Sequence, residues 1–427
     1  MIGRIIRGIS RWITSPKVTR ALAGPLLYGG AGASDIPVQD ACSILVVRLD
    51  GIGDLILTSP FLRELRRLNP NAWITLVVDP RFVNLVELCP FINEVLAFEP
   101  RRRFGFGKLE LHIRALRLAR QHLWQRQFDL ALLPRWDIDC YHSAFVAYFS
   151  GALCRIGYSE NLTPLKQQYD RGLDILFTRT LDHRSSKHDA EQNLDLLREV
   201  GGIVMDDRLE LWLSDEDREA VRAALTSRGV TGNDLLVGIA PGAGHPKRVW
   251  PLCRFIDLGR FLQQECGARL LIIGGPEDRE RALELQQNLG TAAISFAGEM
   301  TLRQTGALLE QVPLVVANDS GPMHLAAAAG AAVVEISCHP TSGDPLHSNS
   351  PVRFHPWVKE YAVLQPSQAA EPCTRSCEWH EAHCILGISV ESVREAARTL
   401  LARRRLGSAQ AGSAAPARVR LQAKSCV

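Results

Sequence analysis

Three short loops hold residue types whose spacing could do chemistry. The first, Asp50-Gly51-Ile52-Gly53-Asp54, follows the apolar run Ile44-Leu45-Val46-Val47-Arg48-Leu49. Gly51 and Gly53 let the backbone turn sharply and come close to a ligand. The pattern opens like the dinucleotide fingerprint G-x-G-x-x-G, and Asp79 ends the next apolar run where a ribose-binding acid would sit. Ile56, however, occupies the third glycine position. Asp54 would also set a carboxylate against a pyrophosphate, a like-charge contact in a poorly solvated pocket. A carboxylate held at the mouth of a cleft suits a general base better. The plain alternative is that Asp54 only N-caps a helix beginning at Leu55.

The second loop reads Pro241-Gly242-Ala243-Gly244-His245-Pro246-Lys247-Arg248 and leads into Val249-Trp250-Pro251. Flexible glycines followed by Lys247 and Arg248 can engage a phosphate through backbone N–H groups and charge pairing, or can form a solvated basic turn. The third loop reads Asn318-Asp319-Ser320-Gly321-Pro322-Met323-His324. Ser320 or Gly321 opens a helix whose free N–H groups and dipole favour an anion. His324, one turn in, could reach back to that anion or make core hydrogen bonds.

The elements around these loops alternate strand and helix. Strand-like runs are Ile44–Leu49, Ile74–Val78, Glu94–Phe98, Asp129–Leu133 and Arg155–Tyr158, separated by helical patterns over Leu55–Leu68, Lys108–Gln127 and Ala190–Val200. The alternation restarts with Leu235–Ala240, Arg269–Ile273, Ala293–Phe296, Leu314–Ala317 and Ala332–Ser337, separated by helices near Pro251–Glu265, Glu277–Leu289, Leu302–Gln311 and Met323–Ala329. Such alternation predicts α/β units with parallel sheets covered on both faces. Two such units in tandem would face each other across a cleft, with ligands beyond the carboxyl ends of the strands. The acid then lies on one unit and the two anion-binding elements on the other.

Length and composition agree. A chain of 427 residues, 46% apolar and 22% charged, fits a soluble globular protein of two to three domains. The net charge of +3 argues against a nucleic-acid partner, and no run approaches the ~20 apolar residues of a membrane-spanning helix. The eleven cysteines are mostly scattered through apolar stretches, as reduced thiols in a cytosolic protein would be.

These motifs together resemble glycosyltransferase family 9, the ADP-heptose:lipopolysaccharide heptosyltransferases and their relatives, over about Ser43 to Leu401. The resemblance rests on the Gly-x-Gly-Asp loop, the Pro-Gly-Ala segment leading to Lys247-Arg248-Val249-Trp250-Pro251, and Asn318 to Ala326. It implies a GT-B fold: an acceptor domain at 41–210 and a nucleotide-sugar domain at 211–406. It also implies inverting, metal-independent transfer from ADP-heptose to a lipid-linked saccharide, at the cytoplasmic face of the inner membrane. Carried over, Asp54 matches the catalytic base on the acceptor-side loop of Gly51 and Gly53. Ser320 and Gly321 match the diphosphate site, Asp319 a donor-sugar contact, and His324 a polar residue near the phosphates. Met300 matches a nucleobase contact, and Glu280, favoured over Glu277, a ribose contact. The family usually carries Lys two residues before the Trp; here Arg248 stands there, with Lys247 before it, so either could hold the diphosphate. This departure leaves open another nucleotide sugar or surface glycan. An NAD-type oxidoreductase and a silent nucleotide-sugar-binding protein are the rivals from other classes.

Two further features stand apart. Cys373, Cys377, His380, His383 and Cys384 include enough soft ligands for zinc, though not in a paired CxxC spacing; a packed thiol-rich loop is favoured, with zinc and a disulfide as the alternatives, and no metal is expected in the transfer itself. The charge is also uneven: residues 1–40 carry +3 and 401–427 carry +6, leaving −6 for the body between. Ile2, Ile5, Ile6, Ile9, Trp12 and Ile13 would line one face of a basic amphipathic N-terminal helix. That helix could dock on an anionic membrane surface or pack on its own domain. A third possibility is a secretory signal, with Ala21–Tyr28 as its core and Ala31-Gly32-Ala33 as its cleavage site. The tail from 407 to 427 is expected to be disordered and, being basic, could join that membrane contact. Arg101-Arg102-Arg103 and Lys108 could meet phosphorylated sugars or form a solvated basic turn.

Overall fold

The computed structural model describes residues 12–28, 36–101, 108–184 and 186–413. Its strands form two six-stranded sheets in which every neighbouring pair runs parallel. The first sheet has the order β3-β2-β1-β4-β5-β6. It comprises β1 (Ser43–Arg48), β2 (Trp73–Val78), β3 (Glu94–Ala97), β4 (Leu130–Leu132), β5 (Cys154–Tyr158) and β6 (Arg179–Leu181). The second has the order β12-β11-β10-β7-β8-β9. It comprises β7 (Leu235–Ala240), β8 (Ala268–Ile272), β9 (Ala293–Ser295), β10 (Leu314–Asn318), β11 (Ala332–Ile336) and β12 (Tyr361–Leu364).

Read from opposite edges, the two orders are the same. Each unit's opening strand lies centrally, with its second and third strands on one side and its fourth to sixth on the other. The order therefore reverses between β1 and β4 and again between β7 and β10, and at each reversal a crevice opens beyond the strand ends. The central strands read as unbroken apolar runs because both faces are buried: Ile44, Leu45, Val46, Val237, Ile239, Val315 and Val316 have no exposed surface. The edge strands β6 and β12 lack that signal, being short or only partly buried.

Several helices depart from their sequence patterns. Leu55–Leu68 is two helices, Ile52–Ile56 and Ser59–Leu68. Pro60 has no N–H to give and is tolerated only in a first turn, so a new helix starts beside it. Asp54 consequently lies inside the first turn of a helix that begins at Ile52, rather than capping one that begins at Leu55. The α-helix from Lys108 ends at Leu118, and the chain stays helical as a wide π segment, Ala119–Leu123, and a tight 3-10 turn, Trp124–Arg126, closed by Gln127 in a left-handed conformation at φ 47°. The last helix, Val390–Ser413, runs past 407, where the sequence places the start of a disordered tail. Ala409 and Ala411, strong helix formers, follow Gly407 there. Residues 414–427 lie outside the described residues.

The Ile2–Ile9 stripe lies outside the described residues as well. Ala21–Tyr28 forms the second half of a helix, Pro16–Tyr28, that packs on the first unit. The Tyr28 hydroxyl donates to the Tyr148 carbonyl at 2.5 Å, and Thr19 meets His112 at 3.2 Å. Leu22 and Leu26 point outward from this helix, 66% and 88% exposed. No helix among the described residues is long and apolar enough to cross a membrane.

The units are joined beneath the crevices. Leu55, Ile56 and Phe61 of the first share one apolar cluster with Met323, Leu325 and Ala326 of the second. Buried Arg353 of the second unit also pairs with Asp137 of the first at 3.0 Å.

Candidate active site

Between the units lies a cleft of about 1130 Å³, walled on one side by Gly51 to Asp54 and on the other by Gly242, Arg248 and Asp319 to Gly321. The loop after β1 is fixed by charge. Asp54 Oδ2 accepts from the Gly51 N–H at 3.0 Å, and Oδ1 accepts from Arg48 Nη2 at 3.3 Å. A quarter of the Asp54 side chain remains exposed to the cleft. Each carboxylate oxygen keeps a second lone pair for a substrate hydroxyl.

Arg48 itself is buried at the end of the central strand. Its Nε donates to Asp50 at 2.7 Å, Nη1 to the Asn193 side-chain oxygen at 2.9 Å and Nη2 to Asp189 at 2.9 Å. Asp50 also receives Arg135, and fully buried Arg353 lies 3.8 Å from Asp189 with its guanidinium over the Trp136 ring. Burial pushes the Asp50 carboxyl up to about 6, against the pull of Arg48 and Arg135. Asp137 is only part-buried, and its burial would raise it, yet Arg353 and Arg135 hold it down at about 2. Removing one member of such a buried charge set costs about 3–5 kcal/mol, because its partner is left uncompensated.

The second unit is fixed by neutral hydrogen bonds. Asn318, fully buried at the end of β10, donates to the carbonyls of Pro241 at 2.9 Å and Gly242 at 3.3 Å, and accepts from the Trp250 N–H at 3.1 Å. The loops after β7 and β10 are thereby tied together. Arg248 lines the cleft, 3.4 Å from Asp319, and also donates to the Asn349 side chain. Lys247 turns away, donating to the Cys377 carbonyl at 2.8 Å. Ser320 takes the N-cap position of the helix Gly321–Ala328, but its hydroxyl donates to the Asn318 carbonyl, so no side chain caps that helix.

The two sides meet at His324. Its ring packs so closely on the first unit that a Cβ on Gly53 would lie 2.4 Å from ring carbon Cδ2. Burial lowers its pKa against the pull of Asp319 and Asp54, so the ring is neutral at neutral pH, and Nδ1 is buried without a hydrogen-bond partner. His324 therefore offers a polar edge rather than a positive charge.

Most of the predicted residues converge: Gly51, Gly53 and Asp54 on one wall, and Arg248, Met300, Asp319, Ser320, Gly321 and His324 on the other. Lys247 and Glu280 do not line the cleft, whereas Glu277 does. Pro276–Asp278 make a single tight turn facing the cleft, and the helix that starts at Arg279 carries Glu280 outward into solvent. Asp79 is committed elsewhere, holding Arg81 at 3.0 and 2.8 Å. Arg81, Arg101 and Arg135 line the first unit's side, while Lys108 is exposed and does not; Arg102 and Arg103 lie outside the described residues. The charge set behind Asp54 escapes the sequence patterns. Its one trace is Arg48, a cation in a strand run buried on both faces, which must find partners, and Asp189 and Asn193 lie more than 140 residues away.

Two parallel units of this strand order, facing across a cleft at their switch points, form the GT-B fold. The sequence profile of glycosyltransferase family 9 (heptosyltransferase) matches residues 116–380, and the chain belongs to that family. The matched span begins beyond the Asp54 loop. Lipopolysaccharide heptosyltransferase 2 of Escherichia coli K12 is 26% identical over 342 residues, covering 77% of this chain and 92% of that protein. The family 9 glycosyl transferase from Veillonella parvula superposes with a TM-score of 0.71 at 24% identity, covering 87% of this chain and 100% of that one. The E. coli ADP-heptose lps heptosyltransferase II gives 0.62 at 20% identity, covering 85% and 99%. The protein is thus a glycosyltransferase of the heptosyltransferase family, and the nicotinamide oxidoreductase is set aside.

Proposed function

We propose that the protein transfers a heptose from ADP-heptose to a lipopolysaccharide core acceptor with inversion at the anomeric carbon. The observation that carries this is the division of one cleft: a carboxylate, Asp54, on the first unit, and Arg248 with an uncapped helix N-terminus on the second. The names of the relatives, lipopolysaccharide heptosyltransferase 2 and ADP-heptose lps heptosyltransferase II, supply the donor and acceptor classes.

In this mechanism the acceptor hydroxyl attacks the anomeric carbon from the first unit's side while Asp54 takes its proton. The bond to the diphosphate oxygen breaks on the opposite face. Negative charge then grows on the leaving group, where Arg248 and the N-terminus of Gly321–Ala328 stabilise it. Asp319 holds Arg248 and meets the donor sugar; Met300 and Glu277 line the nucleoside end. The chain's own cation and helix dipole do this work, so transfer should proceed without added divalent metal. The exposed Leu22 and Leu26, beside a basic N-terminal segment, suit peripheral contact with the anionic membrane that carries the acceptor.

The test offers purified protein a panel of nucleotide sugars with truncated core acceptors, read by mass spectrometry of the acceptor. A heptose mass increment from ADP-heptose is expected. Transfer from a different donor would reassign the substrate, and donor binding with no transfer to any acceptor would leave a silent binding protein.

A further inference from the structure

We propose that Cys373, Cys377, His383 and Cys384 form a structural metal site that takes zinc, apart from the transfer chemistry and independent of the donor assigned above. The three sulfurs and one ring nitrogen all lie within 4.8 Å of one another. In a tetrahedral Cys3His zinc site, with Zn–S near 2.3 Å and Zn–N near 2.0–2.1 Å, neighbouring ligand atoms stand roughly 3.5–3.8 Å apart. His383 Nδ1 is 3.7 Å from Cys373 Sγ and 3.6 Å from Cys384 Sγ, which are such edges.

The setting agrees with a metal better than with either alternative. The three cysteines are buried and none is in a disulfide. A disulfide would join two sulfurs and leave the third thiol and the imidazole without a role. Thiols packed merely as hydrophobes have no need of an imidazole nitrogen equidistant from two sulfurs. The Glu378 N–H donates to Cys373 Sγ at 3.4 Å. Donors of this kind support the charge of metal-bound thiolates. His380, adjacent in sequence, is exposed and not among the converging ligands.

A metal here has a structural task. Between β12 and the last helix the chain has little regular structure beyond the short turn Cys384–Gly387, although such long irregular stretches are uncommon inside compact domains. This segment nevertheless backs the loop after β7. Lys247 rests on the Cys377 carbonyl, the Trp250 ring N–H on the Ile388 carbonyl at 3.1 Å, and Arg254 on the Leu386 carbonyl at 2.8 Å. Fixing four side chains on one ion would make an otherwise loose segment a firm wall behind Arg248.

The test measures metal content of the full chain, purified without chelator or polyhistidine tag, by inductively coupled plasma mass spectrometry. About one zinc per chain is expected, falling at least tenfold in Cys373→Ser and in Cys384→Ser. Should those variants fail to fold, the native protein decides. Mercurial titration of its thiols should release one zinc, and cobalt exchanged into the site should show the charge-transfer and ligand-field bands of tetrahedral thiolate coordination. Freely titrating thiols without stoichiometric metal, or a disulfide within the cluster, would overturn the site. Stoichiometric iron in place of zinc would overturn the assigned occupant. Loss of this proposal leaves the transfer mechanism standing, since the donor screen reads that separately.

Discussion

The two units share one topology but use their switch points in opposite ways. Beyond β1 the crevice is filled from within: Arg48, Asp50 and Asp189 pair beneath Asp54, whose carboxylate faces the cleft, while Arg135 and Asp137 line the same side. Beyond β7 and β10 the crevice is held open by Asn318, Trp250 and glycine backbone, and presents one guanidinium beside an uncapped helix. On the proposed mechanism, the filled switch point positions the base and the open one receives the anion. The difference lies in what the strand ends carry, since the strand order is the same.

The comparison can be broken in steps. The largest effect is expected for Asp54→Asn, which keeps the shape of the loop but cannot take a proton: turnover should fall about 10²–10⁴-fold in a transfer assay. Gly53→Ala comes next. Its new methyl would meet His324 and push the walls apart, so turnover should drop on the order of 10²-fold. Adding His324→Ala should recover part of that loss, which a local folding defect in the loop would not. Arg248→Ala should weaken donor binding by about 1.5–3 kcal/mol, the worth of a charge-assisted contact, in calorimetric titrations. Lys247→Ala should leave donor affinity within about twofold, because that ammonium serves the Cys377 carbonyl. Equal losses from both would erase the distinction between them.

The smallest effect concerns pH. Burial pushes His112 and His347 down to about 4 and lowers His188, His324, His339 and His355 as well. Unfolded, these imidazoles bind a proton near 6.5. Below that pH the unfolded chain takes up protons that the folded chain refuses, so stability falls as pH drops from about 6.5 toward 4. Four of the six lie in the second unit. Hydrogen exchange on acidification should therefore show protection lost there before it is lost in the first unit.

The fold was largely legible in the sequence because buried parallel strands are apolar runs and the helices between them are periodic. What escaped was β6 and β12, whose edge positions blur the signal, and the break at Pro60, which a periodic pattern passes over. The site was legible where chemistry is local: Gly51 to Asp54, Arg248, and Asp319 to His324 are short motifs at strand ends. It was not legible where function depends on contacts across the chain. Nothing local distinguishes Lys247 from Arg248 until the Cys377 carbonyl claims one of them, and nothing near Glu280 reveals that its helix turns it outward. The set around Arg48 is assembled from residues more than 140 positions apart.

The central claim is that the first unit does the chemistry and the second holds the donor. Its most direct test measures donor affinity and turnover together in Asp54→Asn and Arg248→Ala. Asp54→Asn is expected to bind ADP-heptose as the unaltered protein does and to lose transfer, while Arg248→Ala loses affinity first. Near-normal turnover in Asp54→Asn, or loss of donor binding in that variant, would contradict the account.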